Sequence, residues 1–365
     1  MAPPITPGSG DSRDGRSLQA VPTPRSPNPE AIAAVRRILE ENADLPSASQ
    51  LEFSPVPGGV SGDLWRVSAI GVDGSWIAKQ PRIQLRVAAQ WQASTERALF
   101  EVRYLRQVRA LLPDAVPEVL GIDVETRVFV MRDYQEPDWC SWEAQLLAGR
   151  VDPTVAHRLG SILGIVHART AQTPELAEQF PTRSLFHALR IRPLFHAAGN
   201  AHPDLMPRLR VLEQDLAGGG GALIHGDAGP DNVLVGPAGR VLLIDAECAW
   251  WGSPHFDAAF LVTHLLLAWA HDGELARGLL TCTRTFLSAW LEALDRDADD
   301  ALLERAVALI PALLLARVDG LVPLEYLSEE RRGRLRSFAR NQVRVAPATP
   351  ELLLRRFERA MGDID

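Results

Sequence analysis

The spacing of apolar residues changes period several times along this chain, and each change marks an element. In AIAAVRRILEEN, from Ala31 to Asn42, apolar residues recur every three or four positions, which predicts a helix. Asn28 is placed to cap it, Pro29 suits its first turn, and Glu30 favours its positive end. The next stretch, LEFSPVPGGVSGDLWRVSAIGVDGSWIAKQ, breaks into short β-type runs separated by PGG and VDG turns. Gly58-Gly59-Val60-Ser61-Gly62 falls between the first two strands, and Lys79 ends the third. A helical period returns from Ala93 to Leu112, where Leu99, Val102, Leu105, Val108 and Leu112 share one face. VPEVLGID and RVFVMRDY then predict two more strands.

From about Ser141 onward the pattern is mostly helical, through segments such as VAHRLGSILGIVHARTA, FDAAFLVTHLLLAWA and ALLERAVALIPALLLARV. One β-rich interruption, ALIHGDAGPDNVLVGPAGRVLLIDAECAWWG, sits among these helices. The expected fold class is α+β and bilobal: a small antiparallel β lobe with one helix, joined to a larger helical lobe that carries an embedded hairpin. The expected boundaries are a disordered tail over 1–28, a small lobe over 29–135 and a large lobe over 136–365, with the joint between Met131 and Glu136. No internal repeat is visible.

Composition narrows the choices. A chain of 365 residues with 46% hydrophobic content can bury a real core. A net charge of -8 argues against nucleic acid or an anionic membrane surface as the main partner. Cys140, Cys248 and Cys282 lie far apart with no CxxC pair, which suits a reducing compartment and no zinc ribbon. The Pro-, Ser- and Gly-rich N-terminus lacks the apolar core of a signal peptide. FLVTHLLLAWA is too short to span a bilayer, so a soluble, cytoplasmic protein is expected, as monomer or homodimer. Lys79 is the only lysine; every other cation among the 38 Lys and Arg is arginine. A compact ammonium on a thin stem can enter a narrow site as a point charge, and polyphosphate oxygens suit it.

The interruption carries the chemistry. After Leu223-Ile224 come His225-Gly226-Asp227, with Asn232 five residues beyond the aspartate. Val233-Leu234-Val235 predicts a strand, Pro237-Ala238-Gly239 a turn, and Val241-Leu242-Leu243-Ile244 a returning strand that delivers Asp245 and Glu247. Magnesium prefers hard oxygen ligands and shares its shell with phosphates, which one or two carboxylates and an amide oxygen would satisfy. The spacing from Asp227 to Asn232 equals that of the HRDLxxxN loop of protein kinases, and Asp245 stands where the DFG aspartate would. Asp227 is then the candidate base, with Asn232 and Asp245 as candidate metal ligands. A zinc hydrolase built on the HxD motif would need more His or Cys ligands than His225 and His255 provide.

HGDAGPDN followed by IDAECAWWGSPHFDAAF resembles the catalytic segment of the aminoglycoside phosphotransferase and methylthioribose kinase group, within the protein-kinase-like fold. IAKQPRIQLRVAAQW, ERALFEVRYL, VPEVLGID and VFVMRD are similar to methylthioribose kinases in particular, and the resemblance runs from Phe53 to Gln342. It implies an ATP- and Mg2+-dependent transfer of the γ-phosphoryl group to a hydroxyl of a small sugar-like, thiosugar or antibiotic acceptor. It makes Lys79 the ligand of the α- and β-phosphates, paired with Glu101, or with Glu96 as second choice. It lays Gly58, Gly59 and Ser61 over the phosphates and puts the adenine against backbone from Met131 to Asp133. Glu247 would assist the metal or be a surface glutamate. Trp250 and Trp251 would wall the acceptor pocket or pack in the core, and Arg317 would approach the acceptor. His225 and Asp257 are expected to brace the catalytic loop, and Arg190 and Arg192 to make fold contacts. Asn232 is a departure, since it matches aminoglycoside and choline kinases better than methylthioribose kinases. The rival function is a non-catalytic nucleotide-binding regulator of the same fold.

Overall fold

A computed structural model describes residues 25–57, 61–85, 91–134, 139–218, 221–294, 300–324 and 326–362. Residues 1–24 of the tail expected over 1–28, and the Gly58-Gly59-Val60 part of the predicted phosphate turn, lie outside the described residues.

Helix α1 (Pro29–Asn42) begins as the sequence predicts, with the Asn28 side chain accepting the Ala31 N–H at 2.8 Å. Strands β1 (Leu51–Pro55), β2 (Gly62–Ala69) and β3 (Trp76–Pro81) precede α2 (Arg97–Leu111), and β4 (Val119–Ile122) and β5 (Phe129–Arg132) follow it. They form one antiparallel sheet in the order β1-β2-β3-β5-β4. Side chains alternate across a strand, so β3 serves both faces. Ala78 turns to a core with Val35, Trp65 and Val130 under α1, while Ile77 turns to one with Ala98, Val102 and Phe129 under α2. Lys79 follows Ile77 by two and points to α2. It lies within β3, which runs on to Pro81, rather than ending it.

Two predicted bounds shift. Helix α2 starts at Arg97 rather than Ala93, because the Ala93 N–H donates to Ile83 O at 3.0 Å and Gln84 and Gln92 form an antiparallel bridge. The run RVFVMRDY narrows to β5 because Arg127 takes a left-handed φ of 61° in a turn whose Thr126 N–H bonds Asp123 Oδ1.

The larger lobe opens with β6 (Cys140–Ser141), α3 (Trp142–Leu147) and α4 (Pro153–Ala171), followed by the single turns α5 (Leu176–Gln179) and α6 (Arg183–Phe186). A π-helix, His187–His196, contains Pro193 and leads into α7 (Ala197–Ala201) and α8 (Met206–Gly218). Strands β7 (Ala222–Ile224), β8 (Val233–Val235), β9 (Val241–Leu243) and β10 (Trp250–Gly252) make up the interruption. Strands β8 and β9 form the predicted hairpin, extended by β6, whereas β7 pairs with β10. Helices α9 (His255–His271), α10 (Ala276–Ala293), α11 (Asp300–Asp319), α12 (Glu329–Arg344) and α13 (Pro350–Met361) complete the chain. Among the described residues, no helix is long and apolar enough to cross a membrane.

Helices α4 and α10 run in close contact. A Cβ at Gly160 would lie 2.5 Å from Phe286 O, and one at Gly164 would lie 2.6 Å from Trp290 O, so side chains there would force the helices apart. Helix α2 belongs to both lobes: Ala98 and Val102 pack under the sheet, while Tyr104, Leu105 and Val108 join the large-lobe core.

Candidate active site

The buried stripe of α2 changes character along its length. Arg97 and Glu101 occupy its N-terminal part, and Tyr104, Leu105 and Val108 continue it as apolar core. The ionic end faces the β3 lysine. Lys79 Nζ lies 2.8 Å from both Glu101 oxygens and 2.6 Å from Asp245 Oδ1, so one ammonium joins the sheet, α2 and the catalytic hairpin. Glu96 is exposed at the start of α2, which leaves Glu101 as the partner.

Arg97 forms a second junction. Its guanidinium is fully buried and donates to Glu247 Oε2 at 2.9 Å, Ser61 O at 2.5 Å and Arg82 O at 2.6 Å. It thereby ties the segment that follows the phosphate turn to the second carboxylate of the hairpin. Sequence reasoning assigned Arg97 no role. The available signal was its place one helical turn before Glu101, a spacing that puts both on one face.

Glu101, Asp245 and Glu247 each bring a carboxylate oxygen within 4.8 Å of the others. Were all three ionised, they would exceed Lys79 and Arg97 by one negative charge. Burial pushes the Glu101 carboxyl up, to about 8, against the pull of Lys79 and with added repulsion from Asp245 and Glu247. Asp245 is also opposed by burial, but Lys79 wins and holds it below the usual range. Lys79 resists burial through Asp245 and Glu101 and stays charged. The two halves of the Lys79–Glu101 pair thus differ because one ammonium serves several anions. A hard-oxygen pocket with surplus negative charge fits Mg2+.

The loop bearing Asp227 is held differently. Gly226, just before it, takes φ 76°, and a Cβ there would lie 2.4 Å from Cys248 O, so only glycine fits. Asp257 at the start of α9 accepts the His225 and Gly226 N–H groups, both at 2.8 Å. His167 Nε2 lies 3.1 Å from Asp257 Oδ2, and His167 Nδ1 accepts from Trp290 Nε1 at 3.1 Å. The second bond fixes the tautomer, so His167 donates to Asp257. His225 in turn accepts the Asp227 N–H at Nδ1 and donates from Nε2 to Ile244 O at 3.1 Å. Burial lowers its pKa, so it is a neutral strut between the loop and the residue before Asp245. Asp245 itself has φ 61°, which aims its carboxylate back at Lys79.

Arg190, on the π-helix, forms an ion pair with Asp227 Oδ1 and also donates to Gly226 O at 2.8 Å. It was expected to make fold contacts only. Asn232 donates its amide to Asp227 O and Oδ2, both at 2.9 Å, which leaves its Oδ1 as the ligand atom it can offer. Burial raises the Asp227 carboxyl to about 7 although Arg190 pulls it down, and Asp231, Asp245 and Glu247 add to the rise. The Asp227 and Asp245 side chains keep 19% and 27% of their surface open, so both reach solvent.

The remaining predicted residues separate. Ser61 is buried and uses its carbonyl on Arg97 and on the Arg82 N–H. Met131 is in β5, register-paired with Ile77 and Val119. The Arg132 and Asp133 N–H groups already bond Glu118 O and Ser75 O, and the Asp133 carboxylate takes Arg66 and Ser75, both at 2.6 Å. The predicted adenine contact at Met131 to Asp133 therefore meets a strand whose donors are in use, while Gln135 to Asp138 lie outside the described residues. Trp250 is 7% exposed and lies 4.8 Å from the Phe186 ring, which makes it core; Trp251, on the other side of β10, is half-buried. Arg317 on α11 sends its charge toward Asp231, Glu143 and Tyr326. Burial, with Arg317 adding, holds nearby His264 neutral with a pKa near about 3.

The Phosphotransferase enzyme family profile matches residues 52–291. The chain belongs to this family. Its similarity extends to methylthioribose kinase 2 of Oryza sativa subsp. japonica, 28% identical over 231 residues, covering 55% of this chain and 53% of that protein. The methylthioribose kinase of Yersinia pseudotuberculosis serotype O:3 (strain YPIII) is 28% identical over 217 residues, covering 52% and 53%. The chain thus spans about half the length of the curated relatives it matches. Among solved structures, a macrolide 2'-phosphotransferase from Brachybacterium faecium aligns with a TM-score of 0.46 at 16% identity, covering 90% of this chain and 99% of that one. An ethanolamine kinase from Plasmodium vivax aligns with a TM-score of 0.49 at 12% identity, covering 81% and 83%. Within this chain the family match takes in Lys79, Glu101, Asp227, Asn232, Asp245 and Glu247.

Proposed function

We propose that this phosphotransferase is a small-molecule kinase that moves the γ-phosphoryl group of ATP, with magnesium, to a hydroxyl of a sugar-like acceptor. The observation that carries the reading is the position of Lys79 Nζ, in contact with both Glu101 on α2 and Asp245 on the opposite lobe. Phosphoryl transfer asks a protein chiefly to position groups and balance charge, and this junction does both.

Asp227 is the base. Its raised pKa near about 7 suits a group that accepts a hydroxyl proton at neutral pH, and Arg190 with Asn232 fixes the direction of its carboxylate. Lys79 holds phosphate oxygens, and Glu101 holds Lys79. Asp245, Glu247 and the Asn232 Oδ1 are the residues that would hold magnesium; bound with ATP, the ion would neutralise the polyphosphate. Gly58, Gly59 and Ser61 would cover the phosphates, and the adenine would sit beyond β5, next to Met131 and Asp133. Residues 29–135 and 136–365 would then be the nucleotide lobe and the acceptor lobe, working in the cytoplasm.

The similarity to methylthioribose kinases supports a methylthioribose-like thiosugar as acceptor, and an aminoglycoside or other antibiotic sugar is the alternative. Arg317 and Trp251 would approach the acceptor. The test is transfer of γ-labelled phosphate from ATP to a panel of thiosugars, sugars and aminoglycosides. Acceptor-dependent labelling that disappears in Asp227→Asn is expected. ATP binding with no transfer to any acceptor, and the same ATP affinity in the variant, would instead make the chain a nucleotide-binding regulator.

A further inference from the structure

The π-helix holds a second cluster of chemistry that phosphoryl transfer does not use. His187 and His196 stand at its two ends, and Glu213 faces them from α8. His196 Nε2 lies 3.0 Å from Glu213 Oε2, and His187 Nε2 lies 3.8 Å from Glu213 Oε1. The two imidazole centres are 5.3 Å apart at an interplanar angle of 75°. Each of the three side chains is partly open to solvent, with 46%, 41% and 24% of its surface exposed for His187, His196 and Glu213.

The winding of the segment explains why these histidines meet. Nine residues of α-helix make two and a half turns, which would put positions 187 and 196 on opposite sides. Bonding from i to i+5 widens the helix, and nine residues then make about two turns, so the same positions return to one face. Two imidazoles on that face, with a carboxylate from the neighbouring helix, form a donor set that an α-helical segment would not assemble.

The donor types select the ion. Imidazole nitrogen suits zinc and its first-row neighbours, whereas magnesium and calcium take oxygen. Zinc bonds of about 2.0–2.1 Å in tetrahedral geometry put the donor atoms about 3.3 Å apart. The two His–Glu separations, 3.0 and 3.8 Å to the two carboxylate oxygens, lie near that value, and one ligand atom from each of the three residues falls within 4.8 Å of the others, a span that side-chain rotation can close. Two histidines and one carboxylate fill three positions and leave the fourth, toward solvent, for water.

We infer that His187, His196 and Glu213 form a zinc-class divalent metal site on the π-helix, separate from the Glu101, Asp245 and Glu247 carboxylates of the catalytic cleft. Because the same helix carries Arg190, the partner of Asp227, an ion here would pin both ends of the segment that orients the base.

The experiment uses the full chain, stripped with a chelator and titrated with Zn2+ in competition with a chromophoric indicator. One Zn2+ per chain is expected, with Mg2+ unable to displace it. His187→Asn, His196→Asn and Glu213→Gln should each weaken binding more than about tenfold, as loss of a metal's protein partners does. Asp245→Asn should leave it unchanged. Circular dichroism checks that each variant is folded. X-ray absorption at the zinc edge of the unmutated protein should report two nitrogen and one or two oxygen neighbours, a result that does not depend on any variant folding. Absence of zinc binding, binding untouched by the three substitutions, or sulfur in the shell would overturn the assignment.

Discussion

The two carboxylates that define the cleft, Asp245 and Asp227, are held in opposite ways. Asp245 meets a lysine that also serves Glu101, within a set of charges that does not balance, and its left-handed backbone keeps it turned to the small lobe. Asp227 sits on a loop held by a chain of partnered polar groups, through His225, Asp257, His167 and Trp290, back to the α4–α10 contact. A buried network with every member satisfied is rigid, while surplus negative charge invites a cation. The Asp227 side is therefore complete in itself, and under the proposed function the Asp245 side would be completed by nucleotide and magnesium. Catalytic precision should depend on the first region and nucleotide affinity on the second.

The sharpest way to break that division is to exchange the functional groups. Asp227→Asn should lower kcat by about 10^2 to 10^4, the range for removing a general base, while leaving the dissociation constant for ATP within about twofold. Lys79→Met should do the reverse in emphasis and weaken ATP binding. Steady-state kinetics with an ATP-binding isotherm measures both. Equal losses of ATP affinity in the two variants would erase the distinction between the regions.

Next in size is a stability effect confined to the base side. Asp257→Leu removes the acceptor of two backbone N–H groups and of the His167 ring, all at a fully buried position. Leaving such partners unpaired should lower unfolding free energy by about 3 kcal/mol, read from urea denaturation. Glu101→Gln, on the nucleotide side, should lower it by much less, since it relieves like-charge repulsion as it removes a partner of Lys79.

The pH dependence tests Arg190. Asp227 must be ionised to accept a proton, and its folded pKa lies above the usual carboxylate value, so kcat/KM should rise with pH through about 7 and level off above it. Arg190 pulls that pKa down. Arg190→Leu should therefore move the inflection to higher pH, while Arg190→Lys keeps a positive charge and moves it less. An inflection that stays in place in Arg190→Leu would make the ion pair electrostatically silent.

The sequence made the nucleotide side more legible than the base side, for a physical reason. The strand that carries Lys79 and the β8–β9 hairpin follow from local patterns, alternation and a turn between two apolar runs, whereas Glu101 came from the family resemblance. The five-stranded sheet and α1 were readable in the same way. Arg190 was not, because it reaches Asp227 from a π-helix whose winding matches neither the strand nor the α period. Trp250 was ambiguous because an aromatic beside a metal carboxylate has the same sequence signature whether it faces the cleft or Phe186. The start of α2 was misplaced because the Gln84–Gln92 bridge, a tertiary contact, outcompetes helix propensity at Ala93.

The smallest predicted effect concerns the acceptor side. The Arg317 Nε is buried and has no partner among the described residues, although Nη1 donates to Val322 O at 3.3 Å. A buried guanidinium N–H without an acceptor is costly, and a hydroxyl-rich ligand beside Asp231 and Glu143 would supply one. Such a contact, made away from the reacting oxygen, would be the same before and during transfer. Losing it removes uniform binding, which raises KM without changing kcat. Arg317→Ala should thus raise the acceptor KM by about tenfold, with kcat and the KM for ATP unchanged. A fall in kcat of the same size would instead make Arg317 part of the transition-state contacts, and an unchanged acceptor KM would put the acceptor on another wall of the cleft.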